Sequence, residues 1–229
     1  MKEYNPFRTA INRSSLSLPM SVLLNNRMLF GKCLDYGCGR GTDVKFCKEL
    51  GINIEGYDKY NEVFNIPNLL KEHYDVVVCN YVFNVIPNLK EHEELLGQLR
   101  ELGDNIYVAV RSDIKAIRDN WEYIKDYDCY KTSTNTYQRF YSEEMIKEYF
   151  GEVKFLLNNN NLKLFHLQTI QTSNKIKKES EEFKWKMKTI FMDMFEYPVL
   201  NVWEEIMRKE GYALKVHSLL RNHIYSDGQ

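Results

Sequence analysis

The run Gly37-Cys38-Gly39-Arg40-Gly41 constrains this chain more than any other five residues. Alternating glycines permit a turn too tight for side chains, and here they separate two segments of different character. Before them, Cys33, Leu34 and Tyr36 make a short apolar run of strand length. After them, Thr42 or Asp43 can cap a helix that continues through Leu50 and is stopped by Gly51. A second strand then runs from Ile52 to Tyr57 and ends in Asp58. Strand, helix and strand within about thirty residues form a βαβ unit, which requires parallel pairing and a right-handed crossover. A ligand of such a unit rests over the carboxyl ends of the strands, above the glycine turn and the helix N-terminus.

The spacing of the glycines and the flanking acids select among ligands. The dinucleotide fingerprint G-x-G-x-x-G aims a helix N-terminus at a pyrophosphate. In this chain the third glycine comes one residue early, and Thr42 stands where the fingerprint wants glycine. Asp35 lies two residues before the first glycine. A carboxylate there repels a pyrophosphate and attracts a ligand that carries an ammonium group. S-adenosylmethionine has such an amine, a sulfonium cation and a ribose whose hydroxyls need an acceptor at the end of the second strand. Asp58 occupies that place, about twenty residues past the turn. Asp35, the G-x-G-x-G turn and Asp58 together resemble motifs I and II of the class I S-adenosylmethionine-dependent methyltransferases. The competing reading is a tight βα turn with no ligand.

Totals bound the remaining possibilities. A chain of 229 residues suffices for one α/β domain with a small appendage. A formal net charge of -1 gives no global attraction to nucleic acid or anionic membrane. The five cysteines, Cys33, Cys38, Cys47, Cys79 and Cys129, are odd in number and lack metal-ligand spacing, so they read as small apolar residues in a reducing compartment. His73, His92, His166, His217 and His223 are scattered, and no metal set is expected. No apolar run reaches the length of a membrane span, and MKEYNPFR lacks the apolar core of a signal peptide. The expectation is a soluble, cytoplasmic protein.

Along the chain, residues 1 to 17 are polar and read as a solvated arm, with a lid or phosphate-contacting arm as the alternative. Leu18 to Leu24 reads as a helix with Pro19 in its first turn. An irregular segment follows Asp58 as far as Leu70. Asp75 to Asn80 is an apolar strand fit for burial on both faces, and Tyr81 to Asn88 follows as a loop or short helical turn. Leu89 to Leu102 is a helix with apolar positions at 95, 96, 99 and 102, closed by Gly103. Asn105 to Arg111 is another buried strand. The spacing predicts a helix over 114–124, a strand-like run over 137–141, and a helix begun by Ser142 and ended at Phe150. Val153 to Leu157 and Leu162 to Leu167 flank an asparagine loop and predict a hairpin.

This order predicts an α/β fold: a doubly wound, mostly parallel Rossmann-like sheet over residues 1–170, closed by the antiparallel hairpin that the methyltransferase resemblance implies. From Gln171 the chain changes to a lysine-rich apolar stripe, Ile176, Phe183, Met187, Ile190 and Met194, broken by Pro198. Residues 171–229 are therefore expected to form a helical extension. Packing or oligomerisation is the favoured role, and a phosphate-gripping face of lysines is the alternative.

Direct methyl transfer needs an acceptor aligned behind the methyl group and little else, so no catalytic residue is assigned from sequence. The proline pair of an [Asp/Asn/Ser]-Pro-Pro-[Tyr/Phe] turn is missing from Asn80-Tyr81-Val82-Phe83, and Cys79 lies inside a strand, which argues against covalent catalysis. A narrower resemblance enters on Thr9-Ala10-Ile11 with Arg13, Leu34 to Gly41 with Asp43-Val44, Gly56-Tyr57-Asp58 and Tyr81 to Ile86. These segments, in this order, resemble the methyltransferases associated with DNA phosphorothioation. The chain departs from them in its short length and in Thr42, where they often carry an acid.

The combined expectation is a methyltransferase with S-adenosylmethionine as cofactor and nucleic acid, DNA, as the acceptor. Cofactor contacts fall on Asp35, Tyr36, Gly37, Gly39, Gly41, Asp43, Asp58, Lys59, Asn80 and Tyr81, with Tyr57 or Tyr60 beside the adenine. Acceptor contacts fall on Arg13, Phe83, Asn84 and Arg111. The alternatives are a silent binding subunit of the same fold, or a methyltransferase acting on a small molecule or a protein.

Overall fold

The computed structural model describes residues 6–167. These belong to the first of two units, Met1–Asn174 and Lys175–Gln229, into which the chain divides. The lysine-rich stripe expected beyond Gln171 lies outside the described residues.

The core element is a six-stranded sheet fed by alternating helices. In chain order the elements are α1 (Leu18–Asn25), β1 (Cys33–Tyr36), α2 (Thr42–Glu49), β2 (Ile54–Tyr57), β3 (Tyr74–Asn80), α3 (Leu89–Leu102) and β4 (Gly103–Arg111). Then follow three short strands, β5 (Glu122–Ile124), β6 (Cys129–Lys131) and β7 (Tyr137–Gln138), helix α4 (Glu143–Phe150) and the hairpin β8 (Val153–Asn158) and β9 (Leu162–Leu167). The large sheet runs β2-β1-β3-β4-β9-β8. β1 pairs in parallel with both β2 and β3, and β3 with β4; β9 runs antiparallel to β4. The doubly wound, mostly parallel sheet with a terminal hairpin is thus present as expected.

Strand β3 shows why the sheet needs helices on both sides. Val76 and Val78 join one core cluster with Met20 and Leu23 of α1 and Val44 and Cys47 of α2. Val77 and Cys79 point the other way, into a cluster with Leu95, Leu96, Leu99 and Leu102 of α3 and Ile146 and Phe150 of α4. Successive strand side chains face opposite sides, so a fully apolar strand must be covered twice. Each fully buried aliphatic side chain contributes about 1.5–3 kcal/mol, so β3 stabilises the sheet on both faces.

β1 and β3 are neighbours, yet the chain leaves β1 for β2 on one side and returns to β3 on the other. That reversal opens a crevice at the carboxyl ends of β1 and β3, where open α/β sheets bind ligands. Asp35 and Tyr36 reach it from β1, and Asn80 from β3.

Three local expectations are corrected. Helix α2 is capped neither by Thr42 nor by Asp43: its N-cap is Gly41, at φ 72° and with no side-chain cap. The Asp43 carboxylate accepts instead from the Ser17 amide at 2.7 Å, and so fastens the N-terminal arm. Second, no helix forms over 114–124. Its apolar side chains find no core to face: Ile114 and Tyr123 are exposed, and Ile117, Trp121 and Ile124 are only half-buried. A 3-10 turn covers Ile114–Ala116, and β5 then pairs antiparallel with β6 around Asp128, whose φ is 45°. Tyr123 and Tyr130 meet across that pair with tilted rings, centroids 5.2 Å apart, a cross-strand contact that helps to fix it. Third, the arm is not a solvated tail. Residues 6–17 fold back over the glycine turn, with a 3-10 turn at Pro6–Thr9.

Gly103 both ends α3 and begins β4 in extended conformation. A side chain there would stand 2.6 Å from Val77 Cγ2 and 2.8 Å from the Tyr74 carbonyl oxygen, so glycine is required by close approach.

Candidate active site

A cavity of about 710 Å³ opens over the carboxyl ends of β1 and β3. Its size lies within the range of small-molecule and cofactor sites. Of the residues expected from sequence, Arg13, Asp35, Tyr36, Gly37, Gly39, Asp43, Asp58, Lys59, Asn80 and Tyr81 line it, and Tyr60 joins them. Gly41, Tyr57, Phe83, Asn84 and Arg111 stand off its wall.

The glycine turn is built by its acids as much as by its glycines. Gly37, Gly39 and Gly41 all have positive φ, at 75°, 57° and 72°. Asp58 Oδ2 accepts from the Gly39 amide at 2.8 Å, and Oδ1 accepts from the Tyr60 amide at 2.9 Å. Asn61 Nδ2 donates to the Gly39 carbonyl at 2.6 Å. The carboxyl tip of β2 is therefore stitched to the turn on both sides of Gly39. Burial pushes the Asp58 carboxyl above its ordinary range, against the amides of Tyr60, Gly39 and Asn61 that pull it down.

Asp35 is a buried carboxyl group in a different position. It is 3% exposed, and no described residue donates a hydrogen bond to its side chain. Burial pushes its pKa well above the usual carboxylate range; the nearby Asp43 and Asp58 push the same way, and Arg13 opposes them. One strand over, both side-chain amide atoms of Asn80 are buried without a partner among the described residues. Two adjacent strand tips thus present an acid, an amide donor and an amide acceptor, all with unused bonding capacity. Buried polar groups in that condition are costly unless something fills them.

This donor set fits S-adenosylmethionine. An ammonium group would satisfy Asp35, and the bonding capacity that Asp58 retains is open to a ribose hydroxyl. The turn excludes side chains larger than hydrogen: a Cβ on Gly37 would lie 2.2 Å from Val82 Cγ2.

The remaining walls were less legible in the sequence. Arg40 Nε donates to the Ala10 carbonyl at 3.2 Å and its guanidinium covers the Phe7 ring at 5.3 Å, which folds the arm onto the turn. Arg13 approaches Asp43 at 4.0 Å. Val82, Val85 and Ile86, from the loop after β3, supply the apolar side. Tyr36 donates its hydroxyl to Gln98 Oε1 at 2.7 Å and ties β1 to α3. Tyr81 holds φ 65°, a conformation rare for an aromatic residue, at the point where β3 enters that loop.

The off-wall residues have structural duties. Phe83 is 1% exposed and packs edge-on against Phe150 and His92. Asn84, also 1% exposed, accepts from the Arg111 amide and donates to the Arg139 carbonyl. Arg111 pairs with Asp113 at 2.6 Å and lies over Phe140. None of these three expected acceptor contacts lines the cavity: the loop turns Phe83 and Asn84 inward to pack and brace, and Arg111, at the end of β4 and part-exposed, is paired with Asp113. Tyr57 likewise packs in the core beside Tyr36, with ring centroids 5.2 Å apart.

A parallel sheet with this reversal, a glycine turn stitched to the acid ending β2, and an unspent carboxyl group at β1 define a class of cofactor-binding transferase. The chain belongs to the methyltransferase domain family, whose model matches residues 11–157. S-adenosylmethionine is the methyl donor named for its relatives: the chain is 27% identical over 175 residues to a probable S-adenosyl-L-methionine-dependent methyltransferase, TehB, of Haemophilus influenzae. That match covers 64% of this chain and 54% of the relative, so the chain spans about half the length of the curated relatives it matches. Among solved structures it is similar to a methyltransferase of Bacteroides fragilis in complex with S-adenosyl-L-homocysteine, with TM-score 0.47 and 13% identity over 69% of this chain and 79% of the other. It is similar too to the methyltransferase CcbJ of Streptomyces caelestis, with TM-score 0.47 and 10% identity over 66% and 94%. Among the described residues no helix is long and apolar enough to cross a membrane.

Proposed function

We propose that this protein is an S-adenosylmethionine-dependent methyltransferase whose acceptor is a small molecule without strong negative charge. The observation that carries the cofactor is Asp35, a buried carboxyl group at the tip of β1, beside a glycine turn, that accepts no hydrogen bond from the described residues. Asp35 would hold the methionine amine and Asp58 the ribose hydroxyls, while Gly37 and Gly39 allow the backbone close to the ligand. When bound, the cofactor supplies a methyl group on a cationic sulfur. Displacement at such a group depends on alignment and dryness more than on a strong acid or base. Val82, Val85 and Ile86 keep that side of the cavity apolar, and the folded arm covers the turn.

The charge of the wall bears on the acceptor. Among the described residues, Asp35, Asp43, Asp58, Glu91, Glu93, Glu94 and Glu101 line the cavity against the cations Arg13, Arg40 and Lys59. Nucleic-acid binding draws its affinity from lysine and arginine against phosphates, so this wall disfavours a polyanion. A nucleic-acid acceptor, and with it a role in DNA modification, is the second reading. It is favoured by the resemblance to phosphorothioation-associated proteins and by Arg13 on the arm with Arg40 in the glycine turn beneath it. A subunit that binds the cofactor without turnover is the third.

Calorimetry with S-adenosylhomocysteine tests the site: saturable binding that weakens at least tenfold in Asp58→Ala supports it, and absence of binding overturns it. Release of S-adenosylhomocysteine from the wild-type protein then separates the acceptors. Turnover with a pool of low-molecular-weight metabolites and none with DNA or RNA supports the first reading. Turnover with DNA alone replaces it with the second, and none with any acceptor replaces it with the third.

A further inference from the structure

Behind the cavity, on the side away from the ligand, lies a guanidinium in an unusual setting. Arg139 is 1% exposed, heads the fully buried side chains by size, and pairs with no carboxylate among the described residues. A buried charge is expensive to desolvate, and an ion pair is its usual compensation. Arg139 is answered by carbonyl groups. Its Nε donates to the Asp128 carbonyl at 3.2 Å, and Nη2 donates to the carbonyls of Pro87, at 3.1 Å, and of Tyr127. Nη1 meets the ring of His92, 3.2 Å from Nδ1.

That histidine completes the arrangement. Its Nε2 lies 2.8 Å from the Ile86 carbonyl, to which it donates, leaving Nδ1 to accept from Arg139. The same small region secures the rest of the loop after β3. The Tyr141 hydroxyl donates to the Phe83 carbonyl at 3.2 Å, and the Arg139 amide donates to the Asn84 carbonyl at 2.8 Å. The carbonyls of residues 83, 84, 86 and 87 are therefore all held from behind by Arg139, Tyr141 and His92. Val82, Val85 and Ile86 of the same loop face the cavity.

We propose that Arg139 is a positioning residue for the active site. Through the Pro87 carbonyl directly, and the Ile86 carbonyl by way of His92, it sets the loop whose apolar side chains wall the cofactor cavity. Its bonds to Tyr127 and Asp128 extend the brace to the turn between β5 and β6. A guanidinium suits the task because its planar fork serves several acceptors at once. A core of packed aliphatic groups could fill the volume but could not fix the carbonyls of a loop that has no sheet partner.

This proposal rests on the cofactor reading for its effect on binding, and the test keeps the two apart. Full-length wild type, Arg139→Met, His92→Leu and His92→Gln are compared in two measurements. One is hydrogen exchange of the amides in 82–88; the other is calorimetric affinity for S-adenosylhomocysteine. The expected result is faster exchange confined to that loop and at least tenfold weaker binding in Arg139→Met and His92→Leu, with α2 and β1 unchanged. His92→Gln, which can still donate to Ile86 and accept from Arg139, is expected to stay within about threefold of wild type in both. Should Arg139→Met fail to fold, the contrast between the two His92 variants decides alone. Unchanged loop exchange in Arg139→Met and His92→Leu overturns the proposal, as does a His92→Gln variant no better than His92→Leu. A wild type that binds no S-adenosylhomocysteine would defeat the cofactor reading, while the exchange data would still judge the brace.

Discussion

Asp58 and Gly39 lie nineteen residues apart and are joined by a hydrogen bond of 2.8 Å from the Gly39 amide to Oδ2. The acid expected to serve a ribose therefore also shapes the turn on which the ligand rests. The amides of Gly39, Tyr60 and Asn61 that meet the Asp58 carboxylate do not use all its lone pairs, so the two duties are compatible. Asp58→Asn keeps the volume but replaces one acceptor by a donor that faces an amide. It is expected to cost about 1–3 kcal/mol of stability, the range for leaving a buried polar group unsatisfied. Chemical denaturation without ligand measures that loss, and Asp58→Ala should lose a comparable amount.

Asp35 makes the opposite trade. Burial raises its pKa, and so do the neighbouring carboxylates of Asp43 and Asp58, so the folded apo-protein holds its proton more tightly than the unfolded chain. Stability from such a group is present at low pH and falls as pH rises from the unfolded value of 3.8 through the folded one. Asp35→Asn removes that penalty. It is expected to raise the apo melting temperature at pH 7 by about 2–4 °C, the shift that ~1 kcal/mol gives in a domain of this size, with the gain shrinking toward pH 4. The same variant should lose S-adenosylhomocysteine binding. A variant that melts lower than wild type at pH 7 would contradict the account of Asp35 as an unspent charge.

The legible part of this protein was the part whose physics is local. Strand β1, the glycine turn, helix α2 and Asp58 follow from turn chemistry and period within a few dozen residues. Leu95, Leu96, Leu99 and Leu102 show their spacing openly and pack as that spacing requires. What was hidden depends on partners far along the chain. Phe83 and Asn84 follow a strand tip and so looked like acceptor contacts; only Arg139, Tyr141 and Phe150, more than fifty residues on, turn them inward. The helix expected over 114–124 failed because an apolar period means little where no core faces it. Asp43 looked like a cap or a ligand contact, and its partner is the amide of Ser17, before the sheet has begun. The unpaired state of Asp35 and Asn80 could not be read from sequence at all, because it is a property of what surrounds them.

The glycines of the turn should differ in sensitivity. At Gly37, with φ 75°, an added methyl would overlap Val82 Cγ2 at 2.2 Å, while at Gly39, with φ 57°, it would meet Ala10 Cβ at 3.2 Å. Both substitutions carry the left-handed backbone cost of about 1–2 kcal/mol. Only Gly37→Ala adds a clash with the braced loop after β3; the arm at Ala10 can give by a few tenths of an ångström. Gly37→Ala is therefore expected to abolish S-adenosylhomocysteine binding and to lower the melting temperature by more than Gly39→Ala does. Equal effects in calorimetry and thermal melts would show that the loop yields as easily as the arm.

Asp43 holds the arm through one short bond, 2.7 Å from the Ser17 amide, with Arg13 nearby at 4.0 Å. Asp43→Ala leaves that buried amide, the N-cap of α1, without its acceptor. Limited proteolysis is expected to cut within residues 8–13 at least fivefold faster in the variant, at Arg8 or Arg13 with trypsin. Saturating S-adenosylhomocysteine should slow cleavage in the wild type, because the arm forms one wall of the cavity. Equal cleavage rates for the two proteins would mean that Arg40, through Ala10 and Phe7, suffices to hold the arm.

His92 gives the fold a dependence on acid of the opposite sign to Asp35. Burial, with Arg139 beside it, lowers its pKa from 6.5 to about 4, against the Ile86 and Phe83 carbonyls that favour the charged ring. A histidine held neutral in the fold binds fewer protons than it does unfolded, so its contribution is complete above pH 6.5 and is lost as pH falls toward 4. The separation corresponds to about 3 kcal/mol at most. Asp35 and Asp58 pull the other way over the lower part of this range, so wild-type stability alone would blur the effect. The difference between wild type and His92→Gln isolates it: near neutral pH the two should be similar, and below about pH 5.5 the glutamine variant should become progressively the more stable. Denaturant titrations at intervals between pH 4 and 7.5 provide the check. A constant difference across that range would mean that His92 keeps its ordinary titration and does not serve Arg139 as a neutral acceptor.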